Sequence, residues 1–124
     1  MITENPLSFS SIKKDEHTQV KLIDLTEICQ GGPVIGRLSI NGAPIKRRRF
    51  GGPFYLIGDT IFVPAVIIGM ISKGFQLSII NVKTLDINFI GETLDIIWIT
   101  GIDQNIIKYN IDLDGFKNEF ISMA

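Results

Sequence analysis

The chain has 124 residues, of which 45% are hydrophobic and 20% charged, with a formal net charge of −1 and a mean hydropathy of +0.29. This length suits one domain, the composition excludes a disordered chain, and a single cysteine excludes an internal disulfide. Isoleucine alone supplies 24 residues, which explains the hydropathy and favours pleated, half-buried strands. The longest apolar run, residues 61–71, contains Pro64 and Gly69 and falls well short of the roughly 20 residues a spanning helix needs. Met1-Ile2-Thr3-Glu4 has neither the cationic start nor the apolar stretch of a secretory signal. The cytoplasm is therefore the expected location.

Residues 1–17 are polar and are expected to form a loose arm or a short edge element. Residues 18–29 alternate in part and predict a first strand, closed by Gly31-Gly32-Pro33. Residues 34–40 form the next strand and end in Asn41-Gly42, a dipeptide that tolerates the positive φ of a tight hairpin turn. Residues 43–49 return as a strand, and Gly51-Gly52-Pro53 breaks it. A second hairpin joins 54–57 to 60–68 through Gly58-Asp59.

Phe75, Leu77 and Ile79 alternate with polar residues, as a half-buried strand does. After the turn at 81–84, Leu85, Ile87 and Phe89 point away from Asp86 and Asn88, and Gly91 is expected to end that strand. Residues 94–99 and 106–113 make the last pair, joined across 101–105. With Ile96, these alternating residues (75, 77, 79, 85, 87 and 89) are the expected core. Phe116, Phe120 and Ile121 could share one face of a short C-terminal helix. Eight to ten short strands about ten residues apart predict one all-β domain, 1–124, an antiparallel meander forming a β-sandwich or barrel.

Few residues are equipped for chemistry. His17 and Cys29 could assemble only one dyad, and a solvated histidine and a buried structural cysteine are the plainer reading. Asn110-x-Asp112-x-Asp114-Gly115 approaches a calcium loop, but the position of the bidentate glutamate holds Ile121, so an Asp-Gly turn is expected. Gly31-Gly32-Pro33-Val34-Ile35-Gly36 lacks the Lys-Ser/Thr ending of a phosphate loop. The expectations are no catalysis, no metal and no cofactor.

Lys46-Arg47-Arg48-Arg49-Phe50 is the one basic cluster. Cations beside an aromatic residue could grip phosphates and stack on a base, whereas an edge strand uses the same charges to prevent edge-to-edge pairing. The acidic balance of the chain favours the second account. Trp98 and Tyr109 are read as core aromatics, with an interface anchor as the alternative.

Charge is distributed unevenly. Residues 1–81 carry nine Lys/Arg against six Asp/Glu, and residues 82–124 carry three Lys against seven acids. Together with its short length and its isoleucine- and asparagine-rich, motif-poor character, the chain resembles the small β-rich immunity proteins of bacterial toxin–immunity pairs, including those of contact-dependent growth inhibition. The segments that carry the likeness are Gly31-Gly32-Pro33-Val34, Arg49-Phe50-Gly51-Gly52-Pro53 and Gly74-Phe75-Gln76-Leu77. The resemblance implies a protein that binds one cognate toxin, often a cationic nuclease, and covers its active site. Asp86, Glu92, Asp95 and Asp103 are the expected contact residues, since opposed potentials speed association. The alternatives are a nucleic-acid-binding barrel using 46–50 and a small-ligand barrel.

Overall fold

The computed structural model describes residues 4–69 and 73–123, and among them every strand pairing is antiparallel and there is no helix. The first sheet runs β1 (Ile12–Lys14), β2 (Gln19–Glu27), β3 (Val34–Ile40) and β4 (Ala43–Pro44). A second contains β5 (Tyr55–Ile57), β6 (Thr60–Ile68), β7 (Lys73–Asn81) and β8 (Ile87–Leu94). A third has β10 (Ile106–Asn110) between β9 (Trp98–Asp103) and β11 (Asn118–Ser122). All three are simple meanders, and none closes into a barrel.

The second sheet is the middle layer. On β6, Ile61, Val63 and Ala65 face a core shared with Val20, Leu22, Leu38 and Ile40 of the first sheet. The alternate residues Phe62 and Val66 face a second core, with Ile99, Ile107 and Tyr109 of the third sheet. A strand covered on both faces needs apolar side chains at every position, which is why 61–68 reads as a continuous run. Pro64 pairs with Leu77 of β7, and the neighbouring Val63 carbonyl accepts the hydroxyl of its own β7 partner Ser78 at 2.7 Å. The last residues of the apolar run, 70 and 71, lie outside the described residues.

Turn chemistry sits where the sequence places it. Asn41 and Gly42 adopt φ of 51° and 86° between β3 and β4, and Gly58 adopts 60° between β5 and β6. Asn81 Oδ1 accepts the backbone N–H groups of Lys83 (2.8 Å) and Thr84 (3.0 Å), which turns the chain from β7 into β8.

Several expectations require correction. Residues 118–122 form a strand, not a helix: β11 pairs with β10 along its whole length, with Lys108 opposite Phe120. The return strand at 43–49 stops after Pro44, and the chain then turns at 46–47, where Arg47 takes a left-handed φ of 66°. Gly91 does not end β8. It takes a φ of 79° inside a bulge, where its carbonyl accepts Gln76 Nε2 at 2.7 Å. Leu85, with φ 64°, is exposed in the turn before β8. Phe89 is also exposed, on the edge strand of its sheet, with the Arg48 guanidinium over its ring. Phe75 and Leu77 are buried, while Ile79, Ile87 and Ile96 are half-buried. Of the first seventeen residues, 12–14 form the short edge strand β1, and the N–H groups of Leu7 and Ser8 bond to Asn5 Oδ1.

Candidate functional site

Two surface regions concentrate the residues able to recognise a partner. The first is a groove of about 600 Å³ built around the basic segment. Phe50 anchors that segment between two sheets. Its N–H donates to the Gly36 carbonyl of β3 at 2.8 Å, and the Gly36 N–H returns a bond of 2.9 Å. On the other side, the Gly51 N–H reaches the Pro64 carbonyl at 2.8 Å, and the Val66 N–H reaches the Arg49 carbonyl at 2.9 Å. The four cations just before Phe50 therefore leave a fixed backbone. Arg37 joins them from β3, and Ile45, Val66 and Ile68 supply apolar wall.

Charge in this groove is largely uncompensated. Arg37 stands 3.8 Å from Asp24, and Arg48 lies over the Phe89 ring, 4.7 Å from its centroid. Among the described residues, Lys46, Arg47, Arg48 and Arg49 form no ion pair with a carboxylate. Arg48 and Arg49 are half-buried all the same. The edge-strand account of the cluster does not hold, because residues 46–49 belong to no strand.

The second region is the outer face of the third sheet. Cross-strand pairing puts Phe120 beside Lys108, and Ile106 lies two residues along the same face. Phe120 is 71% exposed and Phe116, in the β10–β11 turn, is 82% exposed. A hollow of about 420 Å³ lies against Phe120, Tyr109 and Glu119. Tyr109 itself is buried in the second core. Burial, followed by the carboxylates of Glu119 and Glu92, raises its hydroxyl above the usual phenol range.

Glu92 on β8 and Glu119 on β11 thus act on one tyrosine. Asp95 lies exposed on the β8–β9 connection, and Asp103 lies exposed at the end of β9. Asp86 is separated from them: it precedes β8, about 20 Å along the strand from Glu92. Of the four expected contact residues, then, one stands at the far end of its strand. Sequence reasoning assigned no contact role to Phe116, Phe120 or Arg37. The first two were legible as exposed aromatics only once 118–122 was known to be a strand, and Arg37 joins the groove through a non-local pairing.

The other candidates resolve simply. Asp112 Oδ1 accepts the N–H groups of Gly115 (3.0 Å), Phe116 (3.1 Å) and Lys117 (3.3 Å), so the loop is an Asp-Gly turn with Gly115 at φ 78°. His17 is solvated, with 91% of its side chain exposed. Cys29 is exposed in the β2–β3 turn and not buried, since the chain there folds back on itself through a 2.8 Å bond from the Gly32 N–H to its carbonyl. Trp98 is half-buried beside Gly115. Among the described residues, no group of His, Cys, Asp and Glu is placed to hold a metal ion, and no helix is long and apolar enough to cross a membrane.

No protein-family model, curated protein or solved structure matches the chain. The fold and these surfaces define an all-β protein with a basic groove and, on the third sheet, an exposed aromatic face.

Proposed function

We propose that this chain is a non-enzymatic protein-binding module, an immunity protein that neutralises a cognate bacterial toxin in the cytoplasm by binding one-to-one over its active site. The observation that carries this reading is the pair of exposed aromatics, Phe116 and Phe120, in a C-terminal segment whose exposed carboxylates include Glu92, Asp103 and Glu119. Large exposed apolar side chains are unfavourable in water, and aromatic anchors inside a polar rim are the usual centre of a protein interface. The carboxylates of this segment form no ion pairs among the described residues, which suits a cationic partner such as a nuclease.

The test is to co-express the chain with the protein encoded by the reading frame immediately upstream. The expected outcome is cell survival and a stable 1:1 complex, both lost with Phe116→Ala/Phe120→Ala. If that neighbour is not toxic, or if no complex forms, the reading fails.

A further inference from the structure

We infer that the basic groove is a binding site for a compact phosphate polyanion of the nucleoside polyphosphate class, separate from the aromatic face described above. Arg37, Lys46, Arg47, Arg48 and Arg49 converge on one cavity of about 600 Å³, and only Arg37 has a carboxylate partner among the described residues. Half-burying neighbouring guanidinium groups without counter-charges is costly, and an anion that reaches several of them removes that cost.

The segment is also held ready to bind. Phe50 fixes it to β3 and β6, Phe89 supports the Arg48 guanidinium, and Arg47 keeps a left-handed φ of 66° that a non-glycine side chain adopts only against resistance.

Size and charge distinguish among anions. The cavity has the volume of a small-ligand site, and Ile45, Val66 and Ile68 give it an apolar wall against which a base can lie. The cations are gathered around one turn and do not form a track across the protein.

The test is isothermal titration of the full chain at low salt with ATP, with inorganic tripolyphosphate and with a twelve-nucleotide single-stranded RNA. The expected result is 1:1 binding of ATP, tighter than tripolyphosphate and weakened by salt. Lys46→Gln/Arg47→Gln should weaken it by about tenfold or more, since each charge-assisted bond is a strong one. Arg47→Gly separates a structural role from a binding role: it should keep or raise Tm, because glycine adopts this φ freely, while still weakening ATP. Absence of ATP binding would overturn the proposal, as would ATP affinity unchanged in the exposed-cation variants. Equal affinity for tripolyphosphate would overturn the nucleoside part of the proposal. RNA bound more than tenfold tighter than ATP would assign the groove to nucleic acid.

Discussion

Phe50 and Gly36 exchange two backbone hydrogen bonds, of 2.8 and 2.9 Å, outside any regular strand pairing. Phe50 also bridges to Ala65 of β6, so one residue pairs with both the first sheet and the middle layer. Its ring is fully buried in the core those sheets share. The backbone of the basic groove is thus held to both sheets at Phe50 and its two neighbours.

Gly36 tolerates no side chain at this attachment. A Cβ there would collide with the Ile23 carbonyl oxygen and press on Leu22 and Leu25 at 3.2 and 3.1 Å. Gly36→Ala should therefore destabilise the protein by about 1–3 kcal/mol or more, the range for forcing atoms into a packed region. Urea unfolding measures it. A loss under about 0.5 kcal/mol would mean that β2 moves aside freely.

Two residues from the expected core should respond very differently to truncation. Leu77 is 1% exposed in the second core, and Leu77→Ala should cost about 2–5 kcal/mol. Phe89 is 39% exposed on an edge strand, with Arg48 above it. Phe89→Ala should cost only about 1 kcal/mol, mainly from the cation–π contact and a partial loss of burial. Equal costs at the two sites would contradict the assigned facing of β8.

Tyr55 and Tyr109 make stability sensitive to alkali. In both, burial raises the hydroxyl pKa above its ordinary value of 10.0; nearby carboxylates add to it, Glu4 at Tyr55 and Glu119 then Glu92 at Tyr109. A raised folded-state pKa means that the native protein holds its proton more tightly than the unfolded chain. The contribution is complete below pH 10 and is lost as the pH rises through the folded-state values. Thermal melts should show Tm falling above about pH 10, with a smaller fall in Tyr109→Phe. An identical alkaline slope in Tyr109→Phe would show that Tyr109 does not titrate in this way.

Local chemistry made much of the fold legible in the sequence. Asn41-Gly42 and Gly58-Asp59 act through their own φ preferences, and the 60–68 run is bounded by a turn and interrupted by proline. What was hidden depended on distant partners. The 3.6-residue spacing of Phe116, Phe120 and Ile121 fits a helix, yet pairing with β10 makes 118–122 a strand and turns Phe120 outward. The alternation of Leu85, Ile87 and Phe89 fits a core strand, yet β8 begins at Ile87 and lies at the edge of its sheet, where Phe89 stays 39% exposed beneath Arg48. Of the candidate site, the acidic C-terminal segment and the basic run were readable as charge, whereas the groove required Arg37 from another strand. The separation of Asp86 from Glu92, Asp95 and Asp103 likewise follows from strand geometry and not from spacing in the chain.

That separation sets the direct test of protein binding through the acidic aromatic face. Association kinetics with the upstream gene product should be measured by stopped flow at low and high salt for three charge-reversal pairs. Glu92→Lys/Asp103→Lys should slow association about tenfold or more at low salt and flatten its salt dependence, with Tm nearly unchanged because both side chains are exposed. Asp86→Lys/Asp59→Lys, at the far end of the middle sheet, should have a smaller effect, as should Arg47→Glu/Arg48→Glu in the basic groove. If the first pair leaves the association rate unchanged while the arginine pair abolishes binding, the proposed face is wrong.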